Sequence, residues 1–204
     1  MSDISDVIST FLKEQQICLD DMNPHTKTLE DIVTMLLHAR DNGKMIFTIG
    51  NGGSASTASH FVSDLLKTTI TKDSKRFKAI SLVDNIPVNL AWSNDVSYDQ
   101  SFAEQLKNFC SKDDILISFS GSGNSLNVIN AMKLAKNQHC KCIGMTGMGG
   151  GEFPKLCDLT IVVPSNDMLQ IESAHVTLCH CIINVIRKQG VPQFNYEYSN
   201  IFRS

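Results

Sequence analysis

The chain has 204 residues and a formal net charge of −3, and 42% of its residues are hydrophobic. This composition excludes a disordered chain and offers no broad basic face for nucleic acid. The length suits one domain with a substantial core and would be tight for two.

The seven cysteines are scattered through apolar segments, and their number is odd. No apolar signal core follows the N-terminus, and no apolar run approaches membrane-spanning length. We therefore expect a cytoplasmic protein with free thiols and no membrane partner. The pairs Cys140 with Cys142 and Cys179 with Cys181 have a one-residue gap, which is not the usual zinc spacing and disfavours a cysteine metal site.

The first forty residues predict two amphipathic helices. Apolar residues recur at helical spacing over residues 4–12 and again over residues 29–37. Residues 23–24 separate the two helices, Thr26 is expected to cap the second, and residues 41–43 end it.

From residue 45 onward, short apolar runs alternate with helical stretches. Strands are predicted at residues 45–49, 77–83, 114–119, 141–145 and 159–164. Helices are predicted from Ser54, after Pro87, from Ser125 to about residue 137, and from about residue 168 to 189. This alternation implies right-handed βαβ units and therefore an α/β fold with a buried parallel sheet.

Two Gly/Ser-rich loops follow predicted strands, at the sheet edge where ligands bind in such folds. The first covers residues 50–54 and the second residues 118–125. Glycines let backbone N–H groups approach a ligand, and the N-terminus of the following helix attracts an anion. Because neither loop contains Lys or Arg, the expected ligand is a phosphate monoester held by neutral donors.

Neither loop is a nucleotide-binding motif. A Walker A loop ends in Gly-Lys-Ser/Thr, and Gly-x-Gly-x-x-Gly does not follow the first strand. We therefore expect no nucleotide cofactor. Taken alone, the first loop is equally well a tight turn with a capping Ser54.

Together, the loops and three further segments resemble the SIS-domain family, within it the phosphoheptose isomerase branch of sedoheptulose 7-phosphate isomerases. The matching segments are residues 50–55, 94–95, 120–125, 144–147 and 163–167. The resemblance implies a three-layer αβα sandwich with a five-stranded parallel sheet. It also implies one SIS domain over residues 1–204, with an N-terminal helical segment over residues 1–42 that packs on the domain or on partner subunits of a homotetramer.

The resemblance implies that a sugar phosphate is held by both loops and by an Asn-Asp pair, which by itself could also be a plain turn. The implied substrate-binding residues are Asn51, Gly52, Gly53, Ser54, Asn94, Asp95, Ser120, Gly121, Ser122, Ser125 and Glu172.

An aldose–ketose isomerase needs a base, a second acid/base group and a group that polarises the carbonyl oxygen. His60 and Asp64 are four residues apart and share a helical face, and Glu172 and His180 lie within about 80° of each other on another helix. By themselves, His60 and Asp64 could be a surface pair. The resemblance implies that the two faces meet, with Asp64 as the base and His180 as the second acid/base group.

Two of these positions depart from the family. Asp64 stands where the isomerases carry glutamate, and Glu172 stands where they carry glutamine. Aspartate shortens the reach by one methylene, and a missing ångström can cost about a hundredfold in rate. Some family members hold zinc on this set, which here is His60, Asp64, Glu172 and His180.

Three functions fit these observations. The leading hypothesis is an isomerase that converts sedoheptulose 7-phosphate to a heptose 7-phosphate. The others are a non-catalytic sugar-phosphate-binding protein that acts through a protein partner, as in relatives that bind the bacterial replication initiator, and an isomerase or epimerase on another phosphosugar. We expect no direct nucleic-acid binding, and we expect His175 on a helix face or interface rather than as a ligand.

Overall fold

The computed structural model describes residues 3–194. Helix α1 (Ile4–Asp20) and helix α2 (Thr26–Asp41) come first, joined by a 3-10 turn over Asn23–His25 that contains a proline. The predicted cap at Thr26 is wrong. His25 precedes the helix, and the Thr26 hydroxyl instead donates backward to the Asn23 carbonyl at 2.7 Å.

Five strands form one parallel sheet, as predicted, and their order in it is β2-β1-β3-β4-β5. Their bounds are β1 (Met45–Gly50), β2 (Lys78–Ser81), β3 (Ile115–Ser120), β4 (Lys141–Thr146) and β5 (Leu159–Val162). The chain runs from β1 to β2 on one side and then returns to β3 on the other side of β1. The loops after β1 and β3 therefore meet where the strand order reverses, which is the usual ligand site of such sheets.

Six further helices connect the strands or follow them. They are α3 (Gly53–Lys67), α4 (Ile86–Asp95), α5 (Ser101–Lys107), α6 (Leu126–Asn137), α7 (Phe153–Leu156) and α8 (Met168–Arg187). The single helix predicted after Pro87 is in fact two, because a 3-10 turn over Tyr98–Gln100 separates α4 from α5.

The sheet separates two apolar clusters, which makes the fold a three-layer sandwich. On one face, α2, α3 and α8 cover residues such as Ile46, Ile117 and Phe119. On the other face, α5, α6 and α7 cover residues such as Phe47 and Leu116. Every residue of β3 is buried, as expected for the centre of a parallel sheet.

Within residues 3–194, helix α8 has the length and the apolar composition that a membrane-spanning helix needs. This contradicts the expectation that no apolar run approaches that length. Half of this stretch is buried inside the domain, where α8 packs against α2 and α3. A helix in the core of a domain can have the same length and composition, and the packing of α8 identifies it as a core helix.

The seven cysteines, all within the described residues, are free. Burial raises the pKa of Cys140, Cys142 and Cys157 to about 12. These three side chains are therefore neutral thiols at physiological pH and poor metal ligands.

His175 lies in the core rather than on a helix surface or interface. Its ring packs against Phe119 at a centroid distance of 6.0 Å, and Nε2 lies 3.4 Å from the Thr146 carbonyl oxygen at the end of β4. Nδ1 has no hydrogen-bond partner in the part of the chain that the structure describes. Burial lowers the pKa of His175 to about 4, so the neutral ring donates its Nε2–H to this carbonyl.

The buried His175 makes the folded chain sensitive to acid. Between pH 6.5 and pH 4 the unfolded chain binds a proton here that the folded chain does not, so stability falls as pH falls. The loss reaches about 3 kcal/mol by pH 4. The variant His175→Gln keeps a donor for Thr146 but cannot ionise, so urea unfolding at pH 7.5 and 4.5 should show a smaller loss. Equal losses in both proteins would contradict this account.

Candidate functional site

The first loop joins β1 to α3 in a conformation that requires glycine. Gly52 has φ of +55°, and a Cβ on Gly50 would lie 2.6 Å from the Ser54 carbonyl oxygen. The N–H groups of Gly53 and Ser54 lie in the first turn of α3, where no intrahelical carbonyl is available to them. They are therefore free to bind an anion, in the positive field of the helix N-terminus.

The second loop joins β3 to α6 and presents serine hydroxyls. Ser125 precedes the first residue of α6, and its Oγ lies 3.4 Å from the Oγ of Ser120. The Ser120 hydroxyl also accepts from the Gly123 N–H at 3.2 Å, and the Ser122 hydroxyl accepts from the Asn124 N–H at 3.2 Å. These bonds fix the hydroxyls at the start of α6.

A third loop, after β4, supports the second loop from behind. The Gly147 N–H donates to the Gly121 carbonyl at 2.9 Å, and the Glu152 N–H donates to the Gly123 carbonyl at 3.1 Å. A Cβ on Gly151 would lie 2.5 Å from the Ser122 carbonyl oxygen, so the two loops approach as closely as glycine permits. Sequence analysis missed this role, although three consecutive glycines at residues 149–151 were a signal.

The first two loops enclose a cavity of about 240 Å³. It is lined by Asn51, Gly52, Gly53, Ser54, Phe119, Ser120, Gly121, Ser122, Ser125, Met168 and Glu172. Nine of these were predicted substrate-binding residues; Phe119 and Met168 were not. Among the described residues that line it, none is Lys or Arg, so an anion here meets neutral donors and two helix N-termini.

Asn94 and Asp95 do not line this cavity. They lie exposed at the C-terminal end of α4, where the Asn94 amide donates to Asp95 Oδ1 at 2.8 Å. Their predicted contact with substrate stays a prediction.

His60, Asp64 and His180 meet where α3 packs against α8. The Asp64 Oδ2 lies 3.6 Å from His60 Nε2 and 3.8 Å from His180 Nε2, and the two Nε2 atoms are 3.4 Å apart. The side chain of Asp64 is 19% exposed, whereas both histidines are about half exposed. Thr68 donates to Asp64 Oδ1 at 3.0 Å, which leaves Oδ2 facing the imidazoles.

These three residues fit a divalent metal ion. Two imidazoles and a carboxylate are zinc ligands, and their ligand atoms lie within 4.8 Å of one another. A tetrahedral zinc ion with bonds of about 2.1 Å holds its ligand atoms about 3.4 Å apart, which is close to the separations here. Three protein ligands would leave a fourth position open, the arrangement typical of catalytic zinc.

Glu172 lies between the loops and this cluster. A Cβ built on Gly53 would collide with the Glu172 carboxylate, which therefore rests on the first loop. The group of potential metal ligands comprises His60, Asp64 and His180, without Glu172. Its predicted role as a ligand stays a prediction.

Three cavities that share lining residues follow one another along the α3–α8 seam, and this row of cavities is called the groove below. Glu172 and Gly53 line both the loop cavity and a second cavity that reaches His60. His60 in turn lines a third cavity together with Asp64 and His180. Since α3 rises about 1.5 Å per residue, His60 lies about 9 Å along the helix from Ser54. A phosphorylated sugar of six or seven carbons spans that distance.

Comparisons with known proteins agree with this geometry. Residues 10–147 match the family described as SIS domain. The phosphoheptose isomerase of Aliarcobacter butzleri is 38% identical over 182 residues, which cover 89% of this chain and 96% of the relative. The probable phosphoheptose isomerase of Thermoplasma volcanium is 35% identical over 186 residues, which cover 91% of each chain.

Solved structures agree as well. A phosphoheptose isomerase from Francisella tularensis superposes with a TM-score of 0.86 at 26% identity, covering 92% of this chain and 100% of that one. The enzyme from Neisseria gonorrhoeae gives a TM-score of 0.85 at 25% identity, covering 91% and 100%. The chain belongs to the SIS-domain family and, within it, to the phosphoheptose isomerases.

Proposed function

We propose that this protein is an aldose–ketose isomerase that converts sedoheptulose 7-phosphate to a heptose 7-phosphate. The observation that supports it most is the groove, in which a cavity lined by neutral donors and Glu172 lies on the same seam as His60, Asp64 and His180. Relatives named phosphoheptose isomerase, more than 30% identical over most of the chain, support the choice of substrate.

The phosphate end of the substrate is held by neutral groups. The N–H groups of Gly53 and Ser54 and the hydroxyls of Ser120, Ser122 and Ser125 point donors at one volume, between the N-termini of α3 and α6. Fixed dipoles in a partly enclosed cavity stabilise a phosphate dianion without a lysine or arginine.

The sugar end reaches the acid/base cluster. Asp64 is the proposed base that moves a proton from the hydroxyl-bearing carbon to the adjacent carbonyl carbon, and His180 exchanges the proton between the oxygens of these two carbons. Thr68 holds Asp64 Oδ1, so Oδ2 is the oxygen that would take up the proton when no metal ion is bound to it. The Asp64 side chain is largely buried, which reduces competition from water.

We further propose zinc as the metal, which His60, Asp64 and His180 would hold, with Glu172 as the expected fourth protein ligand, so that a sugar oxygen would bind as a fifth ligand. When bound, a divalent ion polarises the carbonyl and hydroxyl oxygens of the sugar. A cytoplasmic location is also proposed, on the basis of the seven free cysteines.

The isomerase activity is directly testable with purified protein and sedoheptulose 7-phosphate, in an assay coupled to the aldose product. We expect turnover in wild-type protein, and a loss of at least a hundredfold in kcat for Asp64→Asn and for His180→Gln, because each removes a proton-transfer group. The exposed His38 on α2 gives the matched control His38→Gln, which should stay at wild-type activity. No product from wild-type protein, with or without added zinc, would refute the function.

A non-catalytic sugar-phosphate-binding protein is the second candidate, favoured by the two departures at Asp64 and Glu172. A double variant, Asp64→Glu with Glu172→Gln, separates the two candidates. In an active isomerase whose groove fits its own residues, we expect kcat to change by no more than about tenfold. A gain of a hundredfold or more, with ligand-induced thermal stabilisation already present in wild type, would instead indicate a degenerate site.

We also propose a homotetramer of single-domain chains, in which the segment over residues 1–42 packs on its own domain through α2 and on partner subunits through α1. Ile4, Val7, Ile8 and Leu12 of α1 are more than half exposed, although they are apolar and share one helical face. An apolar cavity of about 410 Å³ between α2 and α8, which Val185 helps to line, offers a second unpartnered surface.

Light scattering should give a mass four times the 22.5 kDa of the chain. The variant Ile8→Glu places a charge on the exposed apolar face of α1, so we expect it to shift the mass to that of a smaller assembly. A monomeric wild-type protein would contradict the tetramer.

A further inference from the structure

The side chain of Asn51 is bonded away from the cavity that the residue lines. Its amide N–H donates to Asn127 Oδ1, and its Oδ1 accepts from the Asn127 amide, both at 2.9 Å. The Tyr98 hydroxyl donates to the same Asn51 oxygen at 2.6 Å. Since a carbonyl oxygen has two lone pairs, both are occupied, and the orientation of the Asn51 amide is fixed.

Asn127 connects this amide to the second loop. It lies in the first turn of α6, two residues after Ser125, and is only 2% exposed. Its Oδ1 also accepts from the Val128 N–H at 3.0 Å, so its orientation is fixed too. The strand ladder between β1 and β3 ends at Gly50 opposite Phe119, and the amide pair continues the link beyond that point.

Tyr98 approaches Asn51 from a segment that is itself tied to α6. The Asn130 amide donates to the Asp99 carbonyl at 3.0 Å, which anchors the 3-10 turn over Tyr98–Gln100 on that helix. Three hydrogen bonds therefore hold Asn51 from the side of α6.

We propose that Asn127 and Tyr98 are positioning residues that hold the first phosphate loop at a fixed distance from the second. Residues 50–53 include three glycines, whose backbone is otherwise free to move. One phosphate group can bind the N–H groups of the first loop and the hydroxyls of the second only if that distance is maintained. A displacement of about 1 Å weakens such a site severely.

This role rests on the phosphate-binding part of the proposed function and not on the isomerase chemistry. Asn51 is only half-buried, so loss of its partners leaves its amide free to bind water, and the fold is retained. Ligand binding is then the property that the interaction controls.

The test uses three variants. Tyr98→Phe removes one exposed hydroxyl, Asn127→Leu keeps the shape of the side chain, and the double variant combines the two changes. Calorimetry measures the affinity for inorganic phosphate. The isomerase assay with sedoheptulose 7-phosphate measures KM and kcat. We expect phosphate affinity to fall about threefold in Tyr98→Phe and at least tenfold in Asn127→Leu. KM should rise in parallel, and the rise in KM should be larger than the fall in kcat. Because both residues act through Asn51, the double variant should resemble Asn127→Leu alone.

The control is Asn108→Leu, at an exposed asparagine that bonds only locally to the Glu104 carbonyl, and it should bind phosphate like wild type. Lower thermal stability with unchanged phosphate affinity and KM would overturn the proposal, as would effects that simply multiply in the double variant. Wild-type protein that binds phosphate without isomerising the sugar would contradict the proposed function, while the phosphate affinities of the variants would still decide this role.

Discussion

The parallel pairing of β1 with β3 is the constraint on which the site depends. Their ladder runs from Ile46 opposite Ile115 to Gly50 opposite Phe119, so both strands end at the same level. Helices α3 and α6 begin there, and their positive N-termini converge on one volume. The position of a phosphate is thus set by the strand order, and the loops need only supply donors and closely approaching backbone.

The packing of α3 against α8 provides the second half of the site. His60 and Asp64 are flanked on α3 by the buried Phe61 and Leu65, and His180 follows the buried Cys179 on α8. The same core contacts that stabilise the sandwich therefore fix the proposed acid/base groups on rigid helices rather than on loops. Such placement limits their motion relative to a phosphate held by the loops.

Features that depend on short stretches of chain could be predicted from the sequence. The strands, both phosphate loops and the shared face of His60 and Asp64 all follow from local patterns of apolar residues and glycines. The glycines at residues 149–151 indicated a close backbone approach but not its partner. That partner and the bond between Asn51 and Asn127 could not be predicted, because each contact joins segments distant in sequence. For His175 a signal was present, since it follows Ile171 and precedes Leu178 and Ile182 at core spacing on α8.

Charge distinguishes the two ends of the groove. Glu172 is the only charged residue among the described residues that line the phosphate cavity. The Glu172 carboxylate would repel a phosphate bound in this cavity, a cost that a glutamine would not impose.

A divalent ion held by His60, Asp64 and His180 would offset that repulsion, because His60 and Glu172 line the same cavity. On the proposed function, the carboxylate at position 172 would therefore couple phosphate binding at one end of the groove to metal binding at the other.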